Sequence, residues 1–465
     1  MLLRSRPSSY LSKKKPPRSR WWVWAAVLGV PAGILLAEVL LRSVVDTADR
    51  DATFARHGNE AEVAAYTLQF QTRAGEPLAG QPQSGQIAVR REPAVGYALV
   101  ANQQTDFWQL NEQGFRATEP LPLAKPDGEL RIFILGGSAA FGYWNADNDA
   151  TIAVHLEQQL NARLESQQQS PEQFQPQRLP YFIPDKREAL EKTPRVQGER
   201  ARVVNAAVPG YASGNQLAQL ALEILPYRPD AVVAIGGFRD LILPADAEMT
   251  DIPQLDAYLG NTKQHAQTAI AFSLGQQVRR SYLARAVEFW FLGTELTASG
   301  HTLIGAAVEG PTEGSLEDRL PATEAELTAR IERYRRHLEQ AVRFGASARV
   351  PIIAVLQPEI SGRGPLEEFS ESERAIAEDL GTAYFDRVRR SYPPLAEAAN
   401  ELGNTFPSNI TVLNLHDLYA DFEEPAFVDA IHLTEAANYR LAERVFETLV
   451  GLPPLQLVPR DPYQQ

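Results

Sequence analysis

The stretch RIFILGGS, residues 131–138, decides the predicted fold of the chain. Arg131–Leu135 is a short run of β-branched and other apolar residues, which is typical of a buried strand. Two glycines and Ser138 follow it at once, and a helix is expected around Thr151–Leu164. A strand that runs through glycines towards a helix predicts the first unit of an alternating α/β fold.

The same alternation continues towards the C-terminus. Helices are predicted near Asn215–Leu225, from about Glu324 to Phe344, and at Thr434–Leu449. Continuous apolar strands between helices indicate a doubly wound, mainly parallel five-stranded sheet with both faces covered. Sites in such open sheets lie at the carboxyl ends of the strands. The four further predicted strands are Arg202–Asn205, Ala231–Ile235, Val350–Leu356 and Ile410–Leu415.

Two stretches interrupt the alternation and predict insertions, at about 166–200 and 241–321. The first is rich in Gln and Pro and is expected to be an excursion loop. The second contains an amphipathic helix near Leu274–Leu292, which serves either as a lid or as protection for a sheet edge. The predicted divisions are a basic tail 1–20, a transmembrane helix 21–42, a linker and N-terminal extension 43–130, the α/β domain 131–452 and a tail 453–465.

Composition excludes several classes of site. The chain of 465 residues has no cysteine, which excludes a disulfide framework, a Cys-ligated metal and thiol catalysis. It has no His-x-x-x-His pair, and the glycines before Ser138 lack the Gly-Lys-Ser/Thr of a phosphate loop. We therefore expect no metal and no cofactor.

Charge is distributed unevenly along the chain. Residues 1–20 hold seven basic side chains and no acidic one. The formal net charge of the whole chain is −13, so the remaining residues, the body of the chain, carry a net charge of −20. An acidic body of this kind argues against a nucleic-acid-binding surface, which needs a basic stripe. No nucleic-acid partner is expected.

The basic tail is followed by an apolar run that predicts a membrane anchor. Residues 21–37 carry no charge, and the run continues to Leu41 with Glu38 as its one interruption. About 20 apolar residues span a bilayer core. The alternatives are a cleaved signal peptide and a buried helix, but the run is long for the former and no small-x-small cleavage site follows it. The positive-inside rule places residues 1–20 in the cytoplasm and the main domain in the periplasm or lumen.

The residues after the strands suggest nucleophilic catalysis. Ser138 follows the first strand, and a serine hydroxyl needs a base to become a nucleophile. His432 can supply that base, and Asp429, three residues earlier, can orient its imidazole. Backbone amides of Ser138 and Gly210 can hold an oxyanion. The alternative is that Gly-Gly-Ser is a tight turn and that Asp429 and His432 form a structural pair.

Taken in order, these segments resemble three of the four blocks of the SGNH/GDSL hydrolase family, which has a flavodoxin-like fold. Gly136-Gly137-Ser138 is similar to the first block, Asn205–Tyr211 to the glycine block, and Phe427–Glu435 to the last. Asn111–Arg116 and Leu356–Glu359 resemble its membrane-anchored bacterial members. The resemblance implies a serine esterase with Ser138, Asp429 and His432 as catalytic residues.

One block departs from the family pattern. Its third block is Gly-x-Asn-Asp, with an Asn that donates to the oxyanion, whereas this chain has Gly237-Phe-Arg239-Asp240. Arg239 either completes an oxyanion hole with Ser138 and Gly210 or pairs with a carboxylate and leaves the hole one donor short. The implied function is a membrane-anchored ester hydrolase or O-acyl transferase acting on acylated envelope polysaccharide or lipid. The alternative is a weakly active or inactive envelope protein that binds a glycan or a protein partner.

The charge asymmetry predicts the orientation of the chain in a membrane. A reporter enzyme that works only outside the cytoplasm should be active when it is fused after Gln465, because the basic tail stays on the cytoplasmic side. The same fusion with a reporter that works only in the cytoplasm is the control and should be silent. The opposite pattern would reverse the predicted topology.

Overall fold

The computed structural model describes residues 60–78, 85–252 and 315–463. Its strands form a five-stranded sheet and a separate three-stranded sheet. The strands are β1 (Leu68–Gln71), β2 (Ile87–Glu92), β3 (Gly96–Leu99), β4 (Glu129–Gly136), β5 (Arg200–Asn205), β6 (Ala231–Gly236), β7 (Ile352–Leu356) and β8 (Ile410–Asn414).

The larger sheet has the order β5-β4-β6-β7-β8, and every neighbouring pair in it is parallel. The predicted five-stranded parallel α/β sheet is therefore confirmed. Phe133 in β4 is in register with Val204 on one side and Val232 on the other. The next strand in sequence, β5, lies on one side of β4, and the following strand, β6, lies on its other side. The strand order therefore reverses at β4, and the carboxyl end of β4 is the topological switch point.

Helices cover the larger sheet and connect its strands. A π-helical turn at Leu220–Ile224 and short 3-10 turns continue or separate some of them. The helices are α1 (Glu60–Tyr66), α2 (Ser138–Phe141), α3 (Ile152–Gln169), α4 (Ile183–Glu191), α5 (Ser213–Gln219), α6 (Phe238–Ile242), α7 (Leu316–Arg319), α8 (Glu324–Ala348), α9 (Glu371–Thr405) and α10 (Glu435–Gly451).

Side-chain caps explain where the long helices begin. The Thr323 side chain accepts the amide of Glu326 at the start of α8, and Thr434 accepts the amide of Ala437 at the start of α10. Ser370 caps α9 in a reciprocal pair with Glu373. Each cap satisfies an amide that the first turn of a helix leaves without an acceptor.

The structure contains regular elements where the sequence indicated none. The extension 43–130 contains β1, β2 and β3, with β1 parallel to β2 and β2 antiparallel to β3. Helix α4 lies inside the stretch expected to be an excursion loop. Helix α9 between β7 and β8 was not predicted, and it contains Gly381 and two adjacent prolines.

Two predicted helices, residues 21–42 and Leu274–Leu292, lie outside the described residues. Within residues 60–78, 85–252 and 315–463, no helix combines the length and the apolarity needed to cross a membrane.

The kink in α9 generates a prediction about stability. Gly381 has φ 75° and ψ 162°, a region that is essentially restricted to glycine, and a Cβ there would meet no atom within 4 Å. Gly381→Ala should lower the free energy of unfolding by about 1–3 kcal/mol in urea denaturation, from backbone strain alone.

Gly451→Ala at the end of α10 is the matched control, because a Cβ there also meets nothing but the backbone needs no positive φ. That substitution should change the free energy of unfolding by less than about 1 kcal/mol. Equal effects of the two substitutions would show that the kink imposes no strain.

Candidate active site

Asp429 and His432 lie together in a buried loop before α10. The loop is closed by a hydrogen bond from the amide of Val428 to the carbonyl of His432, 2.9 Å. His432 Nδ1 lies 2.5 Å from Asp429 Oδ2, and the two residues are 1% and 0% exposed. Since a carboxylate oxygen accepts, Nδ1 carries the proton of this hydrogen bond, and the corresponding neutral tautomer has its lone pair on Nε2.

The carboxylate of Asp429 is held by four donors. Its Oδ1 accepts the amides of Ile431 at 3.0 Å and His432 at 2.8 Å. Its Oδ2 accepts His432 Nδ1 and also the indole Nε1 of Trp144 at 2.8 Å. Burial by itself raises the pKa of this carboxyl, but the imidazole of His432 and these hydrogen bonds outweigh it and hold the pKa below the usual value.

The imidazole of His432 is enclosed by aromatic rings. Tyr143 stacks on it with centroids 5.2 Å apart and an interplanar angle of 22°, and Trp144 meets it edge-on at 6.1 Å. Nε2 is buried and has no hydrogen-bond partner among the described residues. Asp429 therefore orients the imidazole through Nδ1, while Nε2 has no partner among the described residues.

Ser138 is the first residue of α2, directly after β4. Gly136 makes this connection possible, because a Cβ there would lie 2.4 Å from Ala140 Cβ and 2.7 Å from the carbonyl oxygen of Ile235. The carbonyl of Ser138 accepts the amides of Gly142 and Tyr143, so Ser138 and His432 share Tyr143 as a neighbour. The Ser138 hydroxyl makes no hydrogen bond to His432 Nε2 in this structure.

Gly210 follows β5 with φ +86°, a conformation that favours glycine. Its amide donates no hydrogen bond to any described residue. The amide of Ser138, at the first position of α2, has no acceptor within that helix. Tyr97 on β3 steadies this loop by donating its hydroxyl to the carbonyl of Pro209 at 2.6 Å. Both predicted oxyanion amides thus lie after adjacent strands of the sheet.

Arg239 lies in α6, immediately after β6, at the same edge of the sheet. Its neighbour Asp240 is buried, and the carboxylate accepts both the amide and the hydroxyl of Ser213, the latter at 2.6 Å. Burial raises the pKa of the Asp240 carboxyl despite these hydrogen bonds. Ser213 Oγ also lies 2.8 Å from His337 Nδ1, and Glu248 Oε2 lies 2.9 Å from His337 Nε2.

Sequence reasoning missed Tyr143, Trp144 and the role of Arg116. Arg116 is buried and donates to the carbonyls of Phe141 at 3.0 Å and Gly142 at 2.7 Å, between Ser138 and the two aromatic residues. Burial lowers the pKa of its guanidinium. The turn that contains Arg116 resembled a family segment, but no local pattern marks Tyr143 or Trp144 as part of the site.

Comparisons with known proteins leave the chain without an assigned family. No protein-family model matches it, and no curated protein matches it. Several solved structures are similar. A lipase/acylhydrolase from Enterococcus faecalis is 15% identical, with 71% of this chain and 98% of that chain covered and a TM-score of 0.34.

Two further solved structures are similar to the same extent. A catalytic mutant of Axe2, an acetylxylan esterase from Geobacillus stearothermophilus, is 12% identical over 70% of this chain and 95% of its own, with a TM-score of 0.31. A G-D-S-L family protein from Desulfitobacterium hafniense is 12% identical over 69% and 99%, with a TM-score of 0.30. At these identities and TM-scores the likeness shows no reaction for this chain, and we argue its chemistry from the residues of the site.

The lowered pKa of Asp429 predicts a pH-dependent stability. The pKa of an aspartate in the unfolded chain is about 3.9. A carboxyl whose pKa is lower in the folded chain stabilises the fold above the unfolded pKa, and this stabilisation is lost as the pH falls through the folded pKa. At pH 7, Asp429→Asn should lower the free energy of unfolding by about 1.5–3 kcal/mol, because an amide turns a donor towards His432 and Trp144. The difference from the unsubstituted chain should shrink steadily below pH 4.

Asp149→Asn is the control for this series, since Asp149 is exposed. It should change the free energy of unfolding by less than about 0.5 kcal/mol across the same pH range. Urea denaturation at each pH gives both differences. A difference for Asp429→Asn that grows towards acid pH would contradict the assignment of a stabilising, ionised carboxylate.

Proposed function

We propose that this chain cleaves or transfers ester-linked acyl groups through a covalent acyl-enzyme on Ser138. The observation that carries the proposal is the buried pair of Asp429 and His432, joined at 2.5 Å, whose second imidazole nitrogen has no hydrogen-bond partner among residues 60–78, 85–252 and 315–463. A buried imidazole whose Nδ1 is held by a carboxylate suits a general base, and a serine at a strand end suits a nucleophile.

The proposed reaction has two steps, acylation of Ser138 and deacylation. His432 Nε2 takes the proton of the Ser138 hydroxyl as Oγ attacks the acyl carbonyl carbon, and the carbonyl oxygen becomes an oxyanion. When the tetrahedral intermediate collapses, the ester C–O bond breaks and the imidazolium returns its proton to the departing alcohol. Water or a second alcohol then loses its proton to His432 and attacks the acyl carbon. The bond from that carbon to Ser138 Oγ breaks, the imidazolium returns the proton to Oγ, and an acid or a new ester leaves.

Three groups after adjacent strands are proposed to hold the oxyanion. The amides of Ser138 and Gly210 are available as donors, and Arg239 contributes a guanidinium from the end of β6. Arginine brings a permanent positive charge, which stabilises the developing negative charge. No cofactor is required for this chemistry.

We place the enzyme at a membrane, with residues 21–42 as a single transmembrane helix and the catalytic domain outside the cytoplasm. The support is the seven basic residues before an uncharged apolar run. From this location the proposed substrates are acylated envelope polysaccharides or lipid esters. The aromatic enclosure of His432 is compatible with either class.

The proposed mechanism predicts that Ser138 and His432 act as one unit. Ser138→Ala and His432→Ala should each remove nearly all turnover of a short-chain aryl ester by the full-length protein. The double variant should be little worse than either single one, because residues of one catalytic unit are not additive. Steady-state kcat/KM for the three variants measures this.

Covalent labelling by a fluorophosphonate locates the nucleophile and has a matched control within the chain. The label should map to Ser138, disappear in Ser138→Ala and persist in Ser213→Ala. Ser213 is the control because it too lies beside a histidine, at 2.8 Å from His337 Nδ1, but its hydroxyl is bonded to Asp240. A folded Ser138→Ala protein with full activity would exclude Ser138 as the nucleophile. An unlabelled and inactive parent chain would favour the binding protein that does no chemistry.

A further inference from the structure

Trp144 reaches the catalytic pair from a distant part of the chain. Its indole Nε1 donates to Asp429 Oδ2 at 2.8 Å across a separation of 285 residues. The same oxygen accepts the proton of His432 Nδ1. Trp144 is half-buried, and it also packs edge-on to the imidazole and to Tyr143, with ring centroids 6.1 Å and 5.6 Å away. It therefore contacts both members of the pair.

The backbone of Trp144 adopts a conformation that bulky residues rarely take. Its φ is +65°, in the left-handed region, where a large side chain is an outlier. Such strain persists where the surroundings impose it, and it concentrates at functional sites. The indole can reach Asp429 from this turn, so the strain accompanies a specific contact with the candidate site.

Neighbouring residues fix the turn on both sides of Trp144. Arg116 donates to the carbonyls of Gly142 at 2.7 Å and Asp147 at 2.8 Å. The Tyr66 hydroxyl donates to the carbonyl of Asn145 at 2.6 Å, and Asn438 on α10 donates to the Asn145 side chain at 3.1 Å. The turn is thus bound to the N-terminal extension and to the last helix. These hydrogen bonds hold the backbone on both sides of Trp144 and so restrict the position of the indole.

The hydrogen bonds of Asp429 show what the indole adds. Two backbone amides hold Oδ1, while Oδ2 is shared by the imidazole and the indole. Without the indole, Oδ2 would be restrained only by the imidazole that it is meant to orient. A second donor on a rigid turn keeps the carboxylate plane in place when His432 takes up or releases a proton.

We propose that Trp144 is a positioning residue that fixes the Asp429 carboxylate, and through it the His432 imidazole, for proton transfer. The indole N–H supplies the second restraint on Oδ2, and the rings of Tyr143 and Trp144 hold the imidazole from its face and its edge. The kinetic consequence rests on the proposed acyl-enzyme chemistry. The effect on the hydrogen bond between His432 and Asp429 is independent of that chemistry.

The test compares Trp144→Phe with Trp108→Phe in the full-length chain. Trp108 is the matched control because its buried indole donates to the carbonyl of Ala65 at 2.9 Å and bonds to neither member of the pair. In protein labelled with ¹⁵N-histidine, the low-field signal of the His432 Nδ1 proton is assigned by its loss in His432→Gln. It should broaden or vanish in Trp144→Phe through faster exchange with water, and it should stay sharp in Trp108→Phe.

The kinetic arm uses an aryl acetate. Trp144→Phe should lower kcat by about 10- to 100-fold, the cost of a small misplacement of a catalytic group, with KM changed less than about twofold. Trp108→Phe should keep both constants close to those of the unsubstituted chain. If that chain shows no turnover, the proposed function fails, and the signal of the Nδ1 proton still decides the role of Trp144.

A second variant keeps the test decisive if Trp144→Phe does not fold. Replacing Trp144 by 3-benzothienylalanine keeps a bicyclic ring of nearly the same shape and exchanges the N–H for sulfur. The same loss of the Nδ1 signal and the same fall in kcat are expected from it. A sharp, unmoved signal in a folded Trp144 variant, or an unchanged kcat where the parent chain turns over, would overturn the proposal.

Discussion

Strand β4 is the constraint on which the rest of the structure depends. All eight of its residues are buried, and it pairs in parallel with β5 on one side and β6 on the other. A strand covered on both faces and both edges can offer chemistry only at its end. At that end, contacts around Gly136 leave no room for a side chain, so the chain turns at once into α2 and places Ser138 at the edge of the sheet.

Buried charge is satisfied at the site largely by neutral partners. The carboxylate of Asp429 takes two backbone amides and an indole besides its histidine. The guanidinium of Arg116 donates to four backbone carbonyls, those of Phe107, Phe141, Gly142 and Asp147. Because such groups are costly to bury without partners, each one holds several segments in a single arrangement. The N-terminal extension thereby becomes part of the wall of the site.

Two of the serine and histidine combinations in the described part of the chain, Ser213 with His337 and Ser138 with His432, differ in what surrounds them. Ser213 lies within hydrogen-bonding distance of His337, yet its hydroxyl is also bonded to the buried Asp240, and Glu248 occupies the far nitrogen of the histidine. Ser138 has no such carboxylate, and the far nitrogen of His432 is unengaged among the described residues. A satisfied network stabilises the packing of α5, α6 and α8, whereas an unsatisfied imidazole is suited to accept a proton.

The amino-acid sequence by itself determined the central strands and the spacing of Asp429 and His432. Apolar runs report burial on both faces, and a pair three residues apart can meet within one loop. The tertiary structure alone decided that Trp144 meets Asp429 across 285 residues, that Arg116 supports the turn between them, and that α9 spans a glycine and two prolines. Such contacts arise from packing between distant segments, which leaves no local periodicity. In α9, packing outweighs the helix-breaking tendency of Pro393 and Pro394.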